Sequence, residues 1–161
     1  MSVTSTGSLA SAISYRVNQP ITPEDYIDLL QRSGLAERRP VHDRANIAGS
    51  LAASNLLVSA WQGNLLVGVS RSLTDFHQSC YLADLAVDRT GQRSGIGLEL
   101  IRLTREQLGS ICKLILLAAP AAAEYYPRIG FRHDERCWIL ERQDPLGVPR
   151  TQDDTHGGPT R

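Results

Sequence analysis

The chain reads as an α/β domain: one layer of mixed β-sheet with helices on both faces. Three observations predict this. Helical and extended spacings alternate in the order β-α-α-β-β-β-α-β-α-β. Tyr81 to Leu108 passes from an apolar extended segment through a tight Gly-containing loop into a helix. Leu114-Ile115-Leu116-Leu117 is a continuous apolar run, the pattern of a strand covered on both faces. A length of 161 residues suits one domain with a real core.

The elements follow in order. Residues 1–11, rich in Ser, Thr and Gly, are expected to form a flexible tail before a domain spanning 12–142. Ile13, Tyr15 and Val17 alternate with polar residues as in a half-buried strand. Thr22-Pro23-Glu24-Asp25 is a helix start, with Thr22 as N-cap and Pro23 in the first turn, and Gly34 ends that helix. Arg38-Arg39-Pro40 is a break, and Asp43 to Ala53 carries Ile47 and Leu51 four apart on a second helix. Leu56 to Trp61 and Leu65 to Ser70 form a hairpin around Gln62-Gly63-Asn64. Leu73 to Ser79 is polar and reads as a loop. Leu98 to Leu108 reads as a helix, with Ile96, Leu100 and Leu103 as its buried stripe. Glu99, Arg102 and Glu106 pair on its wet face, and Gly109 ends it. A strand over Lys113 to Ala118, a short helix from Pro120 through Tyr126 and a last strand around Cys137 to Leu140 complete the domain. Residues 143–161, dominated by Pro, Gly, Asp and Thr, are expected to be a disordered tail.

Composition narrows the class of partner. Seventeen basic residues balance seventeen acidic ones, which argues against a nucleic acid or an anionic membrane as partner. No apolar run approaches the ~18 residues of a membrane helix, and the first residues lack the pattern of a secretory signal. Cys80, Cys112 and Cys137 are odd in number and show no C-x-x-C spacing. They read as free, buried thiols in a reducing compartment, so a cytoplasmic location is expected. Cys80 has no His beside it in sequence to activate it as a nucleophile. His42, His77, His133 and His156 show no ligand spacing, so no metal site is predicted.

The stretch from Tyr81 to Leu108 carries the chemistry. A strand, a Gly loop and a helix start present unpaired backbone N–H groups and the positive end of a helix dipole, which suits an anionic phosphate group. Two common loops can be eliminated. A Walker loop needs Lys and then Ser or Thr after its second Gly, where this chain has Leu98-Glu99. A dinucleotide fingerprint needs a third Gly at the position of Leu100, and an acidic residue near Ile115-Leu116-Leu117.

The pattern that remains is Q/R-x-x-G-x-G/A, with Gln92, Gly95 and Gly97 at its fixed positions and Leu85-Ala86-Val87 ending the strand before it. Downstream, Tyr125-Tyr126-Pro127-Arg128-Ile129-Gly130-Phe131 fits an aromatic-Tyr-x-x-x-Gly-Phe segment. Loop, segment and element order over residues 13–142 together resemble the GNAT superfamily of N-acetyltransferases, in its small single-domain bacterial form. The resemblance implies a GNAT-like mixed sheet, splayed at its centre. It implies acetyl-coenzyme A as co-substrate, its pyrophosphate on the amides of Arg93, Ser94, Gly95, Ile96, Gly97 and Leu98, next to Gln92. The pantetheine arm is expected along Leu85, Ala86 and Val87, with Leu85 and Val87 presenting the exposed edge. A backbone N–H there could polarise the thioester carbonyl.

Two catalytic residues are implied. Tyr126 matches the family Tyr that protonates the departing thiolate, while Tyr125 is expected in the core. An alkyl amine of pKa near 10.4 costs roughly 4–5 kcal/mol to deprotonate at pH 7, so a base or a water chain is needed. Asp84, the carboxylate interrupting the apolar strand, is the first candidate for base or ammonium anchor. It needs desolvation to raise its pKa if it is to act as a base, and its alternative role is a paired, structural carboxylate. The position seven before Tyr126, Asn in many relatives, is Ala119. Arg38, Arg39, His42, Asp43 and Asn46 fall in the family's acceptor region, either selecting the acceptor or forming a solvated face. The expected activity is acetyl transfer to a primary amine on a small molecule by direct transfer in a ternary complex. The alternative is a non-catalytic acyl-coenzyme A binding or sensing module. A homodimer is left open.

Overall fold

Thr22 and Pro23 start the first helix as their chemistry requires. Thr22 Oγ1 accepts from the Asp25 amide at 3.1 Å, Pro23 sits in the first turn, and Gly34 closes the helix with φ of 87°. The computed structural model describes residues 12–149. The expected N-terminal tail (1–11) and residues 150–161 of the expected C-terminal tail lie outside the described residues.

The chain divides into two units, Met1–Ala123 and Glu124–Arg161. The first contains β1 (Ile13–Val17), α1 (Pro23–Ser33), α2 (Arg44–Ala53), β2 (Leu56–Gln62), β3 (Leu65–Thr74), β4 (Ser79–Val87), α3 (Ile96–Glu106) and β5 (Lys113–Ile115). The strands form one sheet in the order β1-β2-β3-β4-β5, antiparallel except for the parallel pair β4 and β5. The second unit contains a short helix, α4 (Tyr125–Arg128).

Side-chain alternation along the strands, reset in β3 by a bulge at Val67, makes two cores. Leu66, Val69 and Ala86 join Tyr26, Leu29 and Leu30 of α1 and Ile47 of α2 on one face. Val58, Ala60 and Val67 join Ile96 and Leu100 of α3 on the other, with Leu85 and Val87 packed against them. Helix α3 lies close to the sheet. A Cβ added at Gly68 would stand 3.0 Å from both Ile96 and Leu100, so only glycine leaves room. A buried hydrogen bond of 2.8 Å between Ser70 and Thr104 fixes the same contact further along.

The first two helices match expectation, and α3 is shifted, beginning at Ile96 where Leu98 was expected. Helix α3 ends at Glu106, before Gly109, and Ile101 and Thr104 are buried with Ile96 and Leu100, while Leu103 is half-buried. Glu99 and Glu106 both pair with Arg102 as anticipated.

The strands need more correction. The polar stretch Leu73 to Ser79 is not all loop, since β3 reaches Thr74 and β4 begins at Ser79. Asp75 Oδ1 accepts from the amides of His77, Gln78 and Ser79, tightening the turn and letting both strands run on. Strand β5 stops at Ile115 instead of Ala118, and Ile115 and Leu117 are about half exposed (46% and 52%), so the apolar run is not covered on both faces. Its ladder with β4 ends at Tyr81↔Ile115, just before β4 bulges. The expected helix from Pro120 through Tyr126 is a 3₁₀ turn, Pro120–Ala122, followed by α4. Pro127 accounts for the break, because proline is tolerated only in a first turn and a helix containing it must begin near Tyr125. No strand forms at Cys137 to Leu140. Accordingly Cys80 is buried and Cys112 partly so, but Cys137 is exposed, against the expectation of three buried thiols. Among the described residues no helix is long and apolar enough to cross a membrane.

Candidate functional site

The site is built along one edge of β4. On its other side β4 pairs with β3 from Cys80 to Val87, whereas β5 pairs only with Ser79 to Tyr81. Between Arg71↔Asp84 and Ser72↔Leu82 one residue, Ala83, has no partner, which makes it a β-bulge. A bulge bends its strand and sharpens the twist. Here it falls two residues beyond the last β5 pair, where the two parallel strands part. The Asp88 amide donates to Val67 O at 2.9 Å, so Asp88 faces β3. Alternation then turns Ala86 toward β3, and Leu85 and Val87 toward the unpaired edge. The expected splay is found between β4 and the last strand, β5, toward one side of the sheet and not at its centre.

The placement of Leu85-Ala86-Val87 differs within the triplet. Leu85 and Val87 present backbone groups to the open edge, while Ala86 is paired with Val69 and its methyl lies in the α1/α2 core. A ligand strand added here meets the first and third residues.

Past Val87 the chain turns into α3 through a braced loop. The Asp88 carboxylate accepts from the Thr90 amide and hydroxyl and pairs with Arg32, whose Nη2 also donates to Leu66 O at 2.6 Å. Burial pushes the Asp88 pKa up, but the Thr90 bonds and Arg32 outweigh it and hold the carboxyl below its ordinary value. Gln92 Nε2 donates to Val87 O at 3.1 Å and Ser33 O at 3.4 Å, so the Gln of the motif ties the loop to the strand end and to α1. Ser94 Oγ donates to Gly91 O at 2.5 Å.

These braces leave the loop amides free. Gly91 and Gln92 donate within the loop, and the next amide with a backbone acceptor is Glu99, bonded to Gly95 O at 3.0 Å. The N–H groups of Arg93 to Leu98 have no protein acceptor among the described residues. Gly95 caps α3 with φ of 91° and offers no side-chain cap. A Cβ at Gly95 would meet nothing within 4 Å, so the glycine is required by its backbone angle and not by crowding. Arg93 adopts φ of 64°, uncommon for a side-chain-bearing residue. The result is a row of donors at a positive helix end, directly after the open edge of β4.

At the upstream end of that edge Asp84 is buried (3% exposed), with both carboxylate oxygens engaged. Arg71 Nε donates to Oδ2 at 2.6 Å, Arg39 Nε to Oδ1 at 2.5 Å, and the Tyr26 hydroxyl to Oδ2. Arg71 is held in turn by Ser50 O and the Ser54 hydroxyl. Burial acts to raise the Asp84 pKa, but the Arg71 charge, the Tyr26 hydrogen bond and Arg39 outweigh it and lower it. Asp84 is thus a paired carboxylate whose pKa is lowered, where a proton-abstracting role would need it raised. Sequence reading missed Tyr26 and Arg71 as its partners. The signal was short: Val69 and Arg71 lie two apart on one strand, which puts a charge next to a core face and demands a buried counter-charge.

Tyr126 lies in the second unit. Its ring packs edge-on against Tyr125 and Phe131, with centroids 5.3 and 5.4 Å apart. Its carbonyl accepts from the amides of Ile129 and Phe131, and Gly130 takes φ of 96° to close that turn. This explains the Gly-Phe spacing of the segment. Burial, then the neighbouring Tyr125, raises the Tyr126 pKa and keeps the phenol protonated. Cys80 is buried, and burial raises its thiol pKa, which disfavours the thiolate that a nucleophile needs.

Residues 27–139 match the acetyltransferase (GNAT) domain. The chain belongs to the GNAT acetyltransferase family. Among solved structures it is similar to a GNAT-family acetyltransferase from Streptococcus pneumoniae, at 22% identity over 80% of this chain and 98% of that one, with a TM-score of 0.64. An aminoglycoside N-acetyltransferase in complex with CoA aligns over 85% of this chain and 99% of its own, at 16% identity and a TM-score of 0.63. An aminoglycoside acetyltransferase from an uncultured soil metagenomic sample, in complex with sisomicin, aligns at 19% identity over 80% and 94%, with a TM-score of 0.55. At these identities the likeness is one of fold. No curated protein matches the sequence. In this GNAT member the open β4 edge and the donor row of residues 93–98 are continuous within one unit.

Proposed function

We propose that the chain is an N-acetyltransferase that moves an acetyl group from acetyl-coenzyme A to a primary amine on a small molecule, directly and within a ternary complex. The observation that carries this reading is the run of unpaired amides from Arg93 to Leu98, placed at the end of the unpaired Leu85/Val87 edge. A pyrophosphate needs such donors, and an amide-bearing arm can pair with such an edge. The fold likeness to a CoA-bound aminoglycoside N-acetyltransferase supports the same co-substrate.

In this reading Gln92 and Arg32 act through the loop, bracing it so that its amides point outward. Tyr126 keeps the role that its segment's family resemblance implies, donating its proton to the leaving thiolate. Asp84 does not abstract the amine proton, because both of its oxygens are engaged and its charge is paired with Arg39 and Arg71. It holds Arg39 and Arg71 beside the bulge, and the amine loses its proton through water. A second reading, a non-catalytic acyl-coenzyme A sensor, is favoured by the same committed carboxylate and by Ala119 in place of Asn.

A thiol-release assay with acetyl-coenzyme A across an amine panel tests the choice. Turnover that falls about a hundredfold in Tyr126→Phe, with cofactor affinity little changed, is expected for a general acid. Micromolar cofactor binding without turnover of any amine identifies a sensor, and equal turnover in the two proteins removes Tyr126 from the mechanism.

A further inference from the structure

Arg39 has donors and charge to spare. A guanidinium carries five N–H donors. Arg39 spends three of them, from Nε to Asp84 at 2.5 Å, from Nη2 to Ala83 O at 2.9 Å and from Nη1 to Arg38 O at 2.7 Å. Two have no acceptor among the described residues. The Arg39 side chain is 31% exposed, while the Asp84 carboxylate behind it is 1% exposed. Two guanidinium groups, Arg39 and Arg71, face one carboxylate, so the cluster keeps one uncompensated positive charge. The Tyr26 phenol, buried beside Asp84, stays neutral and does not offset it. Of the two carboxylates in the same α1–α2 connection, Asp43 caps α2 through the Asn46 amide, and Glu37 makes no ion pair among the described residues.

Position gives that charge a meaning. Ala83, whose carbonyl Arg39 holds, is the bulge at which the open β4 edge begins. With phosphates on residues 93–98 and the arm along Val87 and Leu85, the reacting end of the carrier comes to lie at this upstream end. An acceptor that reaches it meets a half-exposed guanidinium fork with two free donors, a group suited to planar oxyanions. A polycationic amine would meet a like charge instead.

We propose that Arg39 receives an oxyanion of the acceptor, so that the acceptor is an amine carrying a carboxylate close to its amino group, as an amino acid does. The proposal rests on the acetyltransfer reading for the direction of the carrier, yet its test does not require turnover. Calorimetry on the CoA-saturated protein compares matched sets of an amino acid, its amide and its decarboxylated amine. Glycine, leucine and phenylalanine supply the three amino acids, and spermidine serves as the polycation.

At least one carboxylated member is expected to bind about ten- to a hundredfold more tightly than its amide and amine, as a charge-assisted hydrogen bond gives. Arg39→Gln should remove that difference, with circular dichroism confirming the fold, and Arg39→Lys should keep part of it. Equal affinity within every matched set, no binding by any carboxylated member, tighter binding of spermidine, or a preference that survives in Arg39→Gln overturns the proposal. Because the first comparison uses the unaltered protein, it stands even where a variant fails to fold. Carboxylate-selective binding without thiol release supports Arg39 as receptor and removes the catalytic reading. Efficient acetylation without carboxylate preference does the reverse.

Discussion

At the downstream end of the open β4 edge the polar groups are backbone amides with no acceptor among the described residues. At the upstream end they are charged side chains, and the carboxylate among them has both oxygens engaged. One strand therefore joins a site made of unspent backbone donors to a site made of paired side-chain charges, two guanidinium groups on one carboxylate. The difference teaches which part of the apparatus depends on backbone geometry and which on side-chain pairing. Substitutions at the two ends should accordingly fail in different ways.

The largest effect is expected upstream, and on stability. Asp84→Asn keeps the shape but leaves Arg71 and Arg39 without their counter-charge, at a cost of about 3–5 kcal/mol. Denaturant unfolding measures it, and a cost below about 1 kcal/mol, the value of an exposed pair, would mean that the network carries little. The pH dependence has a fixed sign. The Asp84 pKa is lowered in the folded chain, so its contribution is fully present above the unfolded value, near 3.9, and is lost as pH falls through the lower folded value. Asp88 behaves alike. Acid unfolding below about pH 4 should be shallower in Asp84→Asn than in the parent, though not flat.

A smaller effect is expected where α3 meets the sheet. Gly68→Ala forces a methyl to within 3.0 Å of Ile96 and Leu100 and should cost about 1–3 kcal/mol. Because Ile96 lies in the donor row, coenzyme A affinity should weaken in the same variant. Lost stability with unchanged affinity would show that the loop does not depend on how α3 is seated.

The same contrast explains how much the sequence disclosed. Caps and turns are local, so Thr22, Pro23 and Gly34 bounded α1, and Gln92, Gly95 and Gly97 marked the loop, before any tertiary contact was known. The pairing of Asp84 is not local: its partners lie 58, 45 and 13 residues away, and none of those spacings carries a pattern. Strand β5 misled for a similar reason. Four apolar residues in a row imply cover on both faces, but a strand persists only as far as its neighbour, and β4 bends away at Ala83. The functional edge and the shortened strand arise from that one bulge, which no residue type announced.

The central claim is that residues 93–98 hold the phosphates of coenzyme A. Titrating coenzyme A into isotope-labelled protein and following the backbone amide resonances tests it most directly, with Gly95→Glu as the control. The account predicts large, saturable shifts at Arg93 to Leu98 and at the Leu85 and Val87 amides, all lost in Gly95→Glu, whose carboxylate occupies the anion site and whose backbone cannot easily hold φ of 91°. Coenzyme A that binds with those amides unmoved, or that binds Gly95→Glu as tightly as the parent, would contradict it.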